Sequence, residues 1–122
     1  MKNLISIVEI STNDFSRAVI FYKSILGLNI EEVDMDGTKM GILPSDGEAV
    51  HVVLVKGNDY KPTPDGTVVY LNAENDLQDI LDRIEPNGGK VIVPKTEISP
   101  EMGFFALFID SEGNKIGLHS IH

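Results

Sequence analysis

Glu9, His51 and His119 are the residues of this sequence whose types best suit chemistry. Glu9 sits in an apolar, β-branched stretch with Ile5, Ile7 and Ile10. A carboxylate there is costly to bury without a partner, and in a cleft it suits the work of a general base. The alternative is a carboxylate at the rim of a sheet, hydrated or paired with lysine. His51 and His119 lie in the runs HVVLVK and KIGLHS. With Glu9 they form a two-histidine, one-carboxylate set of the kind that holds a divalent cation with open positions. The plainer reading is hydrogen-bonded histidines on a sheet surface. His122 is terminal and is expected to be disordered.

Other chemistries find no residues. The chain has no cysteine, which excludes disulfides, thiolate metal sites and cysteine nucleophiles, and which suits a reducing cytoplasm. It has no Gly-rich phosphate loop and no nucleophile elbow. Glu31, Glu32, Asp34 and Asp36 lack the spacing of a calcium loop. Alternating acids on a strand read instead as a solvated face protecting an edge. Phe21 and Tyr22 fall at helical spacing and read as core. Tyr70 alternates away from Thr67, Val69 and Leu71, which predicts packing under a helix. Met40, Met102 and Phe105 are either pocket-lining or core. Net charge is −9, from 19 acidic and 10 basic residues. Such a surface repels phosphate backbones and acidic membrane faces, so neither nucleic acid nor membrane is an expected partner. No targeting segment and no membrane span is visible.

The elements that must position these residues follow from local pattern. Residues 4–12 read as a strand. Asn13 or Asp14 caps a helix over 15–26, which Gly27 ends. Strands are expected at 28–34 and 38–43, joined by a turn at Asp36-Gly37, and at 48–56. Residues 57–66, with two prolines and two glycines, break every pattern. The order then repeats: a strand at 67–72, a helix over 76–86 stopped at Asn87-Gly88-Gly89, and strands at 90–93, 104–109 and 115–119. Ser111 to Asn114 form a hairpin turn.

Short echoes support duplication. Asn13-Asp14-Phe15 resembles Asn75-Asp76-Leu77, with Asp14 and Asp76 62 positions apart. Gly27-Leu28-Asn29-Ile30 resembles Gly89-Lys90-Val91-Ile92 at the same offset, and Pro44 to Gly47 resembles Asp110 to Gly113 at an offset of 66. Three echoes in order indicate an internal repeat. The expectation is an α+β domain over 1–122, built of βαβββ modules at 1–57 and 66–122 joined by a linker at 58–65. Each module leaves one sheet face uncovered, so two of them can curl around a shared cleft, a default ligand site.

The run Asp14-x-x-Arg17-Ala18-x-x-Phe21-Tyr22, then Leu26-Gly27-Leu28, resembles the first helix of vicinal oxygen chelate (glyoxalase/bleomycin-resistance) proteins. The run from Gly88-Gly89-Lys90-Val91 through Gly103-Phe104-Phe105-Ala106-Leu107-Phe108 and Asp110-x-Glu112-Gly113-Asn114-x-Ile116-Gly117-Leu118 is similar to the same superfamily. That resemblance implies paired βαβββ modules, a small-molecule ligand, a homodimer, and metal ligands on strands lining the cleft. Three of the implied ligand positions fall on Ile7, Thr67 and Gly117, and His51 maps onto Gly117 by the 66-residue offset. Ile7, Thr67, Phe105 and Gly117 are then expected at the ligand, with Glu9, His51 and His119 as metal candidates. The cofactor is one divalent ion (Zn, Ni, Mn or Fe) or none. Two functions follow: a metal-dependent lyase or isomerase with Glu9 moving a proton, or a drug-sequestering binding protein without metal. Residues 97–103 are expected to form a lid over the cleft.

Overall fold

The computed structural model describes residues 3–47 and 50–122. Strand, helix and three strands occur twice, as the α+β reading requires. The first set is β1 (Ile7–Ser11), α1 (Phe15–Leu26), β2 (Glu31–Met35), β3 (Thr38–Ile42) and β4 (His51–Lys56). The second is β5 (Val69–Asn72), α2 (Gln78–Ile84) with a 3-10 turn at Glu85–Asn87, β6 (Lys90–Ser99), β7 (Gly103–Ile109) and β8 (Lys115–Ser120). Each set makes a four-stranded mixed sheet, ordered β1-β4-β3-β2 and β5-β8-β7-β6. Contacts divide the chain into units Met1–Pro62 and Thr63–His122. The division falls inside the expected linker. Tyr60 N–H turns back to the Gly57 carbonyl, while Thr63 N–H donates to Asn114 Oδ1 in the second unit.

In the first unit, Asp14 accepts the Arg17 N–H and caps α1. Gly27, at φ 66°, closes the helix with its N–H on the Lys23 carbonyl. Phe15, Ala18, Val19, Tyr22 and Ile25 lie at helical spacing and are buried, as is Phe21. The Phe21 and Tyr22 rings meet edge to face at 5.1 Å. The helix packs on the sheet face that carries Ile10 and Leu54. Gly41 leaves space there for the Phe15 ring and Ile30. Asp36 and Gly37 both have positive φ, 52° and 88°, which is the two-residue hairpin turn read from the sequence. The acids of β2 are exposed on an edge strand, as expected.

In the second unit, Leu71, Ala106, Phe108, Ile116 and Leu118 face Leu77, Leu81 and Ile84. The buried Ser120 hydroxyl fastens α2 to β8: it accepts the Leu77 N–H at 3.0 Å and donates to the His122 carbonyl. Ser120→Ala is expected to cost about 1–2 kcal/mol in urea unfolding, because a buried N–H loses its acceptor. His122 is correspondingly held, its N–H on the Asn75 carbonyl, against the expectation of disorder.

Several boundaries differ from the sequence reading. β1 starts at Ile7, and Leu4 and Ile5 are exposed apolar residues outside it. β2 starts at Glu31 rather than at residue 28. β4 starts at His51; the expected strand positions 48 and 49 lie outside the described residues. β5 starts at Val69, so Thr67 precedes the strand, and α2 is shorter than 76–86. β6 continues to Ser99 rather than ending at 93, because register shifts between Val91 and Ser99 let an edge strand carry Pro94. Residues 97–103 are therefore the end of a β6–β7 hairpin with a tight turn at 100–102, not a separate loop.

Candidate functional site

Strand register decides which side chains share the sheet face turned away from each helix. In the second unit, β5 and β8 run parallel with Tyr70 opposite Gly117 and Asn72 opposite His119. β7 is antiparallel to β8 and sets Phe105 opposite His119. Leu71 and Leu118 point to α2, so Tyr70, Asn72, Phe105, Gly117 and His119 occupy the other face. Tyr70 is 48% exposed and does not pack under a helix, which corrects the sequence reading. That reading assumed the alternation from Thr67 through Leu71 faced the pocket.

The Tyr70 ring lies directly over Gly117. A side chain begun at Gly117 would meet the Tyr70 Cδ2 atom, with Cε2 at 2.5 Å and Cγ at 2.8 Å. Only a glycine permits this stacking of ring on backbone. Phe105 meets Tyr70 at 6.4 Å in an inclined, edge-to-face geometry. Beside Tyr70 is a solvent-open cavity of about 440 Å³, lined also by Asn72, Ile98, Met102 and His119. Ile98 and Met102 come from the β6–β7 hairpin, so the segment expected as a lid supplies one wall. His119 Nε2 lies 2.6 Å from the Met102 carbonyl oxygen. A carbonyl can only accept, so Nε2 carries the proton. Asn72 Oδ1 accepts the Glu74 N–H at 2.9 Å.

The first unit presents the corresponding face. β1 and β4 run parallel, with Ile7 opposite His51 and Glu9 opposite Val53. The buried, helix-side pairs Ile10–Leu54 and Leu71–Leu118 correspond, as do the bonds from Thr12 N–H to the Val55 carbonyl and from Ala73 N–H to the His119 carbonyl, so the first unit's counterpart of Tyr70–Gly117 is Glu9–Val53, with Ile7–His51 two residues earlier on the same face. Ile7 and His51 are exposed, and Thr67 is exposed outside any strand. His51 Nδ1 lies 3.1 Å from the Ser45 hydroxyl, at the edge of a second cavity of about 410 Å³ lined by Asn29, Ile30, Glu31 and Ile42 to Ser45. Glu9 is exposed rather than buried. Its partner is the Tyr60 hydroxyl, which donates to both carboxylate oxygens at 3.1 and 3.2 Å.

That hydrogen bond, and then the negative charge of Glu9, raise the Tyr60 pKa above its ordinary value of 10.0. Because the neutral phenol makes the bond, its contribution is present below the unfolded pKa and is lost as pH rises through the folded one. In an ultraviolet titration the Tyr60 step is expected to come earlier in Glu9→Gln than in the parent chain.

Of the expected metal candidates, Glu9 and His51 belong to the first unit and His119 to the second. Each already has a partner within its own unit. Ile7 and Gly117 offer no donor atom, and the Tyr70 ring fills the space into which a ligand side chain at Gly117 would grow. No group of three or more histidine, cysteine or carboxylate residues among the described residues could hold a metal ion. The residues at these positions do not fit the superfamily metal that the sequence resemblance implies. Tyr60 and Asn72 were not singled out by sequence reasoning. Tyr60 lies in the segment taken as linker, and Asn72 has no signal beyond its place two residues after Tyr70.

A sequence profile of the Glyoxalase/Bleomycin resistance protein/Dioxygenase superfamily matches residues 4–118. A glyoxylase-like domain-containing protein of Didymella fabae is 28% identical over 114 residues, covering 90% of this chain and 88% of its own. Among solved structures, a glyoxalase/bleomycin resistance protein from Albidiferax ferrireducens aligns with a TM-score of 0.73 at 18% identity, over 97% of this chain and 98% of its own. An antibiotic binding protein from a Streptomyces species aligns at 0.69 with 21% identity, over 98% of both chains. A glyoxalase I variant from Zea mays aligns at 0.70 with 17% identity over 95% of this chain, which spans only 46% of the maize protein. At these identities the structural likeness is one of fold.

Proposed function

This chain belongs to the Glyoxalase/Bleomycin resistance protein/Dioxygenase superfamily, and from that premise we propose that it binds a flat, largely apolar small molecule and holds it without a metal and without turning it over. The observation that carries this reading is the Tyr70 ring seated over Gly117, with Phe105 inclined against it. It turns a position where the superfamily resemblance implies a metal ligand into an aromatic floor. Ile98 and Met102 add apolar walls, and about 440 Å³ lies within the size range of small-molecule sites, roughly 300–1,000 Å³. Phe105 and Gly117 are proposed to act through this floor, one supporting the ring and the other making room for it. The existence of an antibiotic binding protein with the same fold and length supports the choice of a holding role. A homodimer in a reducing cytoplasm is the proposed setting, the latter suited to a chain without cysteine.

The test is equilibrium dialysis against a panel of bicyclic and tricyclic aromatic compounds, with recovery analysed by mass spectrometry. Saturable binding with the compound recovered unchanged is expected. Tyr70→Ala is expected to weaken it by about tenfold or more, from lost ring contact. Conversion of the compound, or one tightly held metal ion per chain after incubation with zinc, nickel, manganese or iron(II), would sink the reading and restore the lyase alternative.

A further inference from the structure

We infer that the cavity beside Tyr70 selects flat bicyclic ligands carrying a hydrogen-bond donor next to an acceptor on one edge, as in a cis-lactam, with His119 taking the donor and Asn72 the acceptor. The inference rests on the aromatic-binding reading above and names the ligand class of that same cavity.

Two polar side chains line an otherwise apolar cavity, and each is half committed elsewhere. His119 spends its Nε2 proton on the Met102 carbonyl. In the neutral ring this leaves Nδ1 as an acceptor only. Asn72 spends its carbonyl oxygen on the Glu74 N–H. The amide nitrogen cannot accept that N–H, so the amide cannot be turned around, and the NH2 group is left as a donor only. Neither Nδ1 of His119 nor the NH2 of Asn72 has a partner among the described residues. Asn72 and His119 are register partners on adjacent parallel strands, so acceptor and donor stand side by side. The backbone therefore fixes the polarity of this edge: the local bonds from Glu74 and Met102 decide which atoms remain for a ligand. A cis-lactam presents the complementary pair, its N–H to His119 and its carbonyl to Asn72, while its ring lies against Tyr70 and between Ile98 and Met102. An ortho-hydroxyaryl ketone fits less well, because its hydroxyl is already bonded to its own carbonyl.

The probes are quinolin-2(1H)-one and its N-methyl derivative, titrated calorimetrically at pH 8. The parent compound is expected to bind about tenfold more tightly, since methylation removes the only donor. Asn72→Asp is the decisive variant. It retains an oxygen for the Glu74 N–H, so the local turn survives, yet it replaces the NH2 donor by an acceptor. In that variant quinolin-2(1H)-one is expected to lose about tenfold, and 2-aminobenzimidazole, with two donors on one edge, is expected to become the better ligand. Equal affinity for quinolinone and its N-methyl derivative, or an unchanged preference in Asn72→Asp, overturns the donor–acceptor assignment. If other flat aromatics still bind and Tyr70→Ala still releases them, the aromatic reading stands without it. If no flat aromatic compound binds saturably, both readings fail.

Discussion

Gly103→Ala is expected to be among the most destabilising single-methyl additions available to this chain, costing about 2–5 kcal/mol in urea unfolding. Two independent effects add. Gly103 has φ +83°, a conformation that costs an L-residue roughly 1–2 kcal/mol. The added Cβ also collides with backbone: the Ser120 carbonyl oxygen, the Ile121 Cα at 2.9 Å and the Ile121 oxygen at 3.1 Å. Backbone cannot swing aside as a side-chain end can, and overpacking of this kind costs about 1–3 kcal/mol. Moreover, the collision falls where β7 begins against the end of β8, beside the Ser120 hydroxyl that holds α2. The loss should therefore disturb the helix as well as the strand pair. Gly88→Ala is the control. Its φ is +100° but its Cβ would meet nothing within 4 Å, so only the conformational part, about 1–2 kcal/mol, applies. A difference of at least about 1 kcal/mol between the two variants measures the packing part. Equal midpoints would show that the β7–β8 junction yields. Against a total stability of about 5–15 kcal/mol for a small domain, the larger loss is enough to leave a substantial unfolded fraction.

Local signals in the sequence carried the architecture because each is decided by a few neighbouring residues. Helix α1 was legible in its extent: a cap at Asn13 or Asp14, an apolar face from Phe15 through Tyr22 to Leu26, and a stop at Gly27 were read, and the structure chooses Asp14 as cap, buries Ile25 rather than Leu26 and closes at Gly27 in the left-handed region. Asp36-Gly37 was legible for the same reason, since both positions need positive φ. The duplicated order was legible from echoes at nearly constant offset. The edges of strands were not, because β pairing is a long-range property. Residues 4–6 have the composition of a strand, but among the described residues β1 pairs with β4 from Ile7, opposite His51. The long β6 was hidden by Pro94, which a central strand would reject and an edge strand with register shifts accepts.

The candidate site failed to be legible at one step, and the step was a register. The 66-residue offset set Gly117 against His51, and the family resemblance set the fifth strand's ligand position at Thr67. The parallel pairing puts Tyr70 opposite Gly117, and the corresponding pair of the first unit is Glu9–Val53 rather than Ile7–His51. An odd error in register moves a residue to the other face, and here it converted an exposed aromatic floor into an expected core residue. Glu9 illustrates a different limit. Its apolar neighbours in sequence suggested burial, yet alternation gives those neighbours to both faces, and its partner Tyr60 is contributed from 51 residues away. No local pattern could have announced that bond.

The ring over Gly117 gives the second large expected effect, and one whose origin a double-mutant cycle can isolate. Gly117→Ala places a Cβ against Tyr70, with Cε2 at 2.5 Å, and is expected to cost about 1–3 kcal/mol. The obstacle is a half-exposed side chain, so the ring can rotate outward; this is why the cost should fall below that of Gly103→Ala. In a Tyr70→Ala background the same substitution meets no ring. It should then be neutral or mildly stabilising, because glycine within a strand is itself unfavourable. The coupling energy between positions 70 and 117 is therefore expected to be about 1–3 kcal/mol, far above the few tenths typical of independent sites. Ligand binding supplies a separate reading of the same displacement. A ring pushed off Gly117 must move toward the cavity lined by Asn72, Ile98, Met102 and His119. Gly117→Ala should thus weaken aromatic ligands by about tenfold although Gly117 contacts none of them, through loss of the aromatic floor. Additive stabilities in the cycle would mean that Tyr70 leaves Gly117 at no cost. The position would then be open to a larger side chain, and a metal ligand there would no longer be sterically barred.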